Sequence, residues 1–219
     1  MKELYEVKKI SYEDTKPYLL GIHYAKRMPS ISYAYGLFLN DVLCGVITYG
    51  KPPSAPLRKG IAGEKNIQYI LELNRLCLKN NIKNEASILI SRSLKQLPKS
   101  IIISFADTEQ DHIGYVYQAC NFYYCGLSAK RTDWKIKGME HLHGQTIADK
   151  YRGYKNRAEA IRNDYGDRFY LKPRPRKHRY IYFVGNKNDK KTFKKQLNYE
   201  LKPYPKKDEK TPICDKSGT

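Results

Sequence analysis

Glu72 and Asn74 stand two residues apart in the run YILELNRLCL, Tyr69–Leu78. A strand's period of two puts them on one face, together with Ile70, Leu76 and Leu78. The segment is apolar enough to be interior. A carboxylate held there is either paired, with Arg75 as the adjacent base, or has its pKa raised, as active-site carboxylates often do. Asp107 follows the apolar run Ile101–Phe105 at the carboxyl end of a strand, where open α/β sheets bind ligands. Ser104, Asp107 and Thr108 are equally suited to capping the turn that follows. His23, Tyr24 and Arg27 end a helix just before Met28-Pro29. Histidine serves as acid, base or metal ligand, and tyrosine stacks or donates a hydrogen bond; a histidine there is also an ordinary partner of the helix dipole. Tyr33 and Tyr35 share a strand face, for which sheet packing is the simpler account.

Other chemistries lack their residues. His141-Leu142-His143 has metal-like spacing but no third ligand nearby. Gly-x-Gly-x-x-Gly, P-loop and Gly-x-Ser-x-Gly strings are absent, which argues against dinucleotide, nucleotide-triphosphate and serine-hydrolase chemistry. The five cysteines (Cys44, Cys77, Cys120, Cys125, Cys214) are odd in number and none is spaced Cys-x-x-Cys, so a reduced, cytoplasmic setting is expected rather than a disulfide framework.

The partner is signalled by charge. The 219 residues carry 41 Lys and Arg against 22 Asp and Glu, a formal +19. Residues 1–130 hold 17 basic and 11 acidic side chains, residues 131–219 hold 24 and 11, so most of the excess lies in the last two-fifths. Cations and aromatics interleave there: Lys130, Arg131, Trp134, Lys172, Arg174, Arg176, Lys177, Arg179, Tyr180 and Tyr182. Cations track phosphates and aromatic faces accept unstacked bases, so nucleic acid is the expected partner, against the alternative of a solvated basic surface. No apolar run approaches the ~20 residues of a membrane span, and the 41% apolar share is too high for a disordered basic tail.

The elements that must position these residues follow from periodicity and turn chemistry. Tyr5–Ile10 reads as a strand, and Ser11 with Asp14 as a capping box opening a helix to about Tyr24. Ile31–Leu39 and Val42–Tyr49 form a hairpin about Asn40-Asp41. Lys51–Lys65, with three prolines and two glycines, reads as a surface loop. A strand at Tyr69–Leu78, a helix capped by Asn84 and running to Lys99, and a buried strand at Ile101–Phe105 come next. A short helix at Tyr115–Cys120 and a strand at Phe122–Ser128 complete the first part. Residues 141–166 are polar and weakly periodic, with one helix over 149–163; Lys172–Arg179 is a proline-stiffened basic segment. Tyr180–Val184 is a strand and Lys190–Leu197 a basic helix. The fold class is therefore α/β (α+β), a mixed sheet flanked by helices, divided as a core over residues 1–134, a basic continuation of the same fold over 135–205 and a flexible tail over 206–219.

Ordered strings then accumulate: HYAKRMP at His23–Pro29, YGLF and GVITYG in the hairpin, ELNRLCL at Glu72–Leu78, NEAS at Asn84–Ser87, SFADTEQDHIGYVYQACNF at Ser104–Phe122, GLSAKRTDW at Gly126–Trp134 and KHRYIYFVG at Lys177–Gly185. Together, over most of residues 20–205, they resemble the bacteriophage Mom-type DNA modification proteins, a divergent branch of the GNAT acyltransferases. The resemblance implies a GNAT-like sheet in which two parallel strands, here Tyr69–Leu78 and Ile101–Phe105, splay around an acyl-CoA arm. It implies methylcarbamoylation of the adenine amine in double-stranded DNA, which protects the DNA from restriction, with acetyl-CoA as cofactor or substrate. Carried onto this chain, it suggests a catalytic pocket of Glu72, Asp107, His23, Asn74 and Tyr24, with Ser104, Tyr115 and Tyr117 close by. Cofactor contacts would come from Arg75, Lys79, Lys83, Asn84, Glu85, Ala86, Ser87 and Tyr117, although KNNIKN (Lys79–Asn84) lacks the superfamily's glycine-rich turn. DNA contacts would come from Arg27, Tyr33, Lys130, Arg131, Trp134, Arg174, Arg176, Lys177 and Arg179, with the flipped base stacked on Tyr24 or Tyr33. A secondary expectation is a divalent metal ion held by His23 with Asp107. Two rival readings stay open: an ordinary GNAT N-acyltransferase acting on a protein or small amine, and a non-catalytic DNA-binding protein on the same scaffold.

Overall fold

A computed structural model of the chain describes residues 4–110, 112–142 and 144–206. Seven strands make the main sheet: β1 (Tyr5–Lys9), β2 (Tyr33–Leu39), β3 (Val42–Gly50), β4 (Ile70–Leu78), β5 (Ser100–Asp107), β6 (Tyr123–Leu127) and β9 (Lys177–Val184). Their order across it is β1-β2-β3-β4-β5-β9-β6. All neighbours are antiparallel except β4 and β5. The expected mixed sheet flanked by helices is therefore present, and β9, from the basic C-terminal part, is inserted between two earlier strands.

Local chemistry accounts for the elements. Ser11 and Asp14 do form a reciprocal capping box before α1 (Tyr12–Lys16), which continues as a π-helical stretch, Pro17–Ile22. The β2–β3 turn places Asn40 and Asp41 at positive φ, as a tight hairpin requires. Residues 51–65 differ from the expected loop. Ser54 caps α2 (Ala55–Ala62) by accepting from the Leu57 amide, and a proline stands in its first turn, where no N–H is needed; a 3-10 stretch, Glu64–Tyr69, follows. Helix α3 (Glu85–Leu94) is shorter than expected, and Asn84 precedes it at φ 74° with no side-chain cap. Further along are α4 (Tyr115–Ala119) and α7 (Lys187–Gln196).

Residues 131–174 depart most from expectation. Two unforeseen strands, β7 (Arg131–Ile136) and β8 (Phe169–Arg174), form a separate antiparallel ribbon, and α5 (Gly144–Lys150) and α6 (Arg157–Tyr165) replace the single helix. The boundary expected at residue 134 thus falls inside β7. Ile136, Ile147, Tyr151, Ile161 and Phe169 give this insert a core of its own. The tail beyond Lys206, with Cys214, lies outside the described residues, as do Asp111 and His143.

Two cores sandwich the main sheet. On the α3–α4 side, Leu37, Ile47, Tyr49, Leu71, Leu89, Ile102, Phe122 and Tyr180 are buried together; on the other, Ile61, Ile70, Ile101, Ile103, Ile181 and Phe193 join α2 and α7 to the sheet. Glu85 is buried in the first side. Its carboxylate accepts from the Tyr5 hydroxyl at 3.0 Å and from the Ile82 amide at 3.0 Å, tying β1 to the turn before α3. Glu85→Ala would leave both donors without that acceptor, so urea unfolding is expected to show a loss of about 2–3 kcal/mol. A loss under about 0.5 kcal/mol would contradict this role.

Candidate functional site

Strand β4 sets the geometry. Its parallel pairing with β5 lasts only from Ile70–Ile101 to Glu72–Ile103. On its other edge the register against β3 shifts between Thr48 and Tyr49: Thr48 faces Arg75 and Tyr49 faces Leu73, leaving Asn74 as the bulged extra residue. The bulge changes the phase of the strand. Leu71, Leu73, Leu76 and Leu78 all pack on the α3 side, while Ile70 lies in the opposite core. The expectation that Leu76 and Leu78 share a face with Glu72 is corrected by this one extra residue.

Asn74 holds the bulge in place. Its Oδ1 accepts from the buried Thr48 hydroxyl at 2.6 Å, and its Nδ2 donates to the Ser30 carbonyl at 2.8 Å. Any Cβ at Gly50 would collide with that same carbonyl, so only glycine lets the Ser30 segment lie against β3. Asn74 thus serves to position its neighbours.

Beyond Glu72 and Ile103 the two strands part. Ser104 reaches across the start of the gap, donating to the Leu73 carbonyl at 3.1 Å. The gap opens into a cleft of about 1170 Å³ that holds Glu72, Asn74, Arg75, Phe105, Asp107, His23, Tyr24 and Tyr117 in its walls. One end reaches Leu78, Asn81 and Ala86 beside α3; the other reaches Ser54, Leu57 and Tyr199. Arg131, Arg174, Lys177 and Arg179 form a cationic rim.

Burial raises the Glu72 pKa, opposed by the nearby charges of Arg75 and Lys177. His23 is displaced the other way, to about 4, chiefly by burial and secondly by Arg75. It is therefore neutral at neutral pH. Its Nδ1 accepts from the Ala25 amide at 3.1 Å, which leaves the ring proton on Nε2, and it stacks on the exposed Tyr24 ring at 4.5 Å. Asp107 is ion-paired with Lys177 at 2.6 Å and accepts from the Glu109 amide at 3.1 Å. Tyr117 is buried and its hydroxyl pKa is pushed up to about 12, mainly by desolvation.

The remaining expected residues separate into groups. Of the cofactor set, Arg75, Ala86 and Tyr117 line the cleft, while Lys79, Lys83, Asn84 and Ser87 stand outside its walls and Glu85 is turned inward. Of the DNA set, Arg27 and Lys130 are exposed but outside those walls. Arg176 is used structurally, its Nε donating to the Ser128 carbonyl at 2.6 Å. Trp134 packs edge-on against Phe169 in the insert, and Tyr33 packs on the main core, which leaves Tyr24 as the stacking candidate of the two tyrosines first considered. Among the described residues no group of three or more His, Cys, Asp or Glu side chains is placed to hold a metal ion, so the metal expected on His23 with Asp107 finds no support. Sequence reasoning missed Ser54, Leu57, Phe105 and Tyr199 as wall residues. The Ser54-Ala55-Pro56 helix start was the available signal for the first two.

A probable acetyltransferase from Staphylococcus epidermidis aligns over 83% of this chain and 99% of its own, at 12% identity and a TM-score of 0.45. A putative acetyltransferase from Salmonella typhimurium, solved with its cofactor acetyl-CoA, aligns over 84% and 95%, at 8% identity and a TM-score of 0.46. The methylcarbamoylase Mom of Escherichia phage Mu is 30% identical over 198 residues, covering 84% of this chain and 76% of the phage protein. The model of the Mom protein family matches residues 4–206, nearly the whole of the described fold, and the chain belongs to that family.

Proposed function

We propose that the protein is a transferase that modifies the exocyclic amine of adenine in double-stranded DNA with a methylcarbamoyl-type group derived from an acyl-CoA, and so protects that DNA from restriction. The observation that carries this reading is a half-buried carboxylate, Glu72, at the point where β4 and β5 separate, in a cleft rimmed by Arg131, Arg174, Lys177 and Arg179. Such a rim suits a polyanion better than a small amine, which favours DNA over the ordinary N-acyltransferase reading.

The cleft fits an acyl-CoA arm. The ladder between β4 and β5 ends at Glu72 and Ile103, and the slot runs past Leu76 and Leu78 to Ala86 in the first turn of α3, a helix start without a side-chain cap. When bound, that group supplies an activated acyl carbon. As the new N–C bond forms and the thioester C–S bond breaks with CoA leaving as thiolate, Glu72 would take the proton that the adenine amine loses, a task suited to a carboxylate whose pKa is raised. His23, neutral with its proton on Nε2, acts as a hydrogen-bond donor, and Tyr24 offers its exposed face to the extruded base. Asp107 fixes Lys177, whose charge in turn bears on Glu72.

Nucleosides from DNA of cells expressing the protein, separated and weighed, are expected to include a modified deoxyadenosine. Glu72→Gln is expected to lower the yield at least ~100-fold, the usual scale of a general base. Unmodified deoxyadenosine throughout in the wild type, or full modification by Glu72→Gln, would overturn the assignment.

The pH profile gives a second test. A base with a raised pKa acts only above it, so the rate is expected to climb with pH along a limb lying above the ordinary glutamate value of about 4.3. Lys177 lowers the Glu72 pKa, so Lys177→Met is expected to move this limb to higher pH; a limb that stays in place would contradict the coupling.

A further inference from the structure

The strongest charge feature outside the cleft is α7. Its sequence, KNDKKTFKKQ, exposes five lysines in ten residues: Lys187, Lys190, Lys191, Lys194 and Lys195. Its one acid, Asp189, is already paired with Lys99 at 2.6 Å and closes a capping box with Asn186. Lys187, Lys191 and Lys195 follow one another at i, i+4 and i+8, and Lys190 and Lys194 form a neighbouring i, i+4 pair. Like charges at that spacing destabilise a helix by a few tenths of a kcal/mol per pair. Buried Phe193, the cap and the packing of Lys190 and Lys194 over the Tyr182 and Tyr123 rings hold the helix together against this repulsion. The repulsion is relieved by a polyanion lying along the lysine stripe.

The placement of α7 says which polyanion. Strand β9 runs from Lys177, opposite Asp107 at the cleft, to Val184, opposite Ser100 at the far end of β5. Helix α7 starts there and packs back on the sheet through Phe193. The chain leaving it brings Tyr199 into the cleft wall, where the Arg179 guanidinium lies 3.9 Å from the centre of its ring. The lysine stripe is thus joined through four residues, Gln196 to Tyr199, to the cationic rim. At ~1.5 Å per residue, ten helical residues extend the charged track by about 15 Å. That length matches some four base pairs of duplex at ~3.4 Å rise.

We infer that the lysine stripe of α7 is a second DNA contact, outside the cleft, that holds the duplex flanking the nucleotide being modified. The inference rests on the proposed action on DNA. It assigns α7 a sequence-independent role, since lysines at this spacing meet phosphates and read no bases.

The test is equilibrium binding of the full chain to a fluorescent 30-base-pair duplex and an 8-base-pair duplex, each over a range of salt, with wild type and the triple variant K187Q/K191Q/K195Q. These three lysines are away from the aromatic packing of α7, so the variant is expected to melt no lower than the wild type. On the long duplex, the slope of log affinity against log salt is expected to flatten by about 2–3, and affinity at ~0.1 M salt to fall at least ~10-fold; the short duplex is expected to bind the two proteins alike. An unchanged slope on the long duplex, with a steep wild-type slope, would overturn the α7 contact while leaving the proposed function intact. A wild type that binds neither duplex in a salt-dependent way would count against the proposed function itself. Loss of binding to vesicles containing phosphatidylserine, with DNA binding retained, would assign the stripe to a membrane surface and overturn the inference.

Discussion

One extra residue in β4 governs the site. Asn74, bulged out of register with β3 and held by Thr48 and Ser30, reverses which side chains of the strand face which core. On the other edge of the same strand the pairing with β5 ends at Glu72. A strand that continued straight would keep its ladder closed; a bulged one bends and twists away. The result is a slot in which the two strands share no backbone ladder, bridged at its start by the Ser104 hydroxyl on the Leu73 carbonyl, at the level where the only carboxylate of β4 lies. Substrate binding and proton transfer in the proposed reaction both depend on that opening.

The cations around the slot are engaged by groups other than Glu72. Lys177 is tied to Asp107, and Arg75 donates to the Asn74 carbonyl at 2.6 Å. Glu72 therefore feels the charge of both cations, and burial still raises its pKa. The same burial and the same Arg75 charge keep His23 neutral. In the proposed reaction, a carboxylate pushed up and an imidazole pushed down, in one cleft, divide the roles of proton acceptor and hydrogen-bond donor between them.

The strands, the hairpin and the capped first helix were legible because each is specified locally: Asn40-Asp41 in its turn, Ser11 with Asp14 in its cap, an apolar run at Ile101–Phe105. Glu72, Asn74 and Asp107 were legible as polar residues in strands apolar enough to be buried. What was not legible depends on partners far along the chain. The bulge requires Thr48 and Ser30, 26 and 44 residues before Asn74, and nothing in ELNRLCL announces it. Helix α2 was hidden because its prolines count toward a loop unless the Ser54 cap is noticed. The β7–β8 ribbon was hidden because its two strands lie more than thirty residues apart in sequence and five of their twelve residues are charged. Trp134 and Arg176, attractive as DNA contacts by composition, turned out to hold the insert and its junction together.

Backbone hydrogen exchange would examine the slot most directly. With acetyl-CoA added, amides in Leu73–Leu78 and Ser104–Asp107 are expected to slow, because the unpaired edges of both strands gain a partner. If the protein binds acetyl-CoA and protection appears only elsewhere, the separation of β4 from β5 is not the cofactor slot and the account fails at its centre.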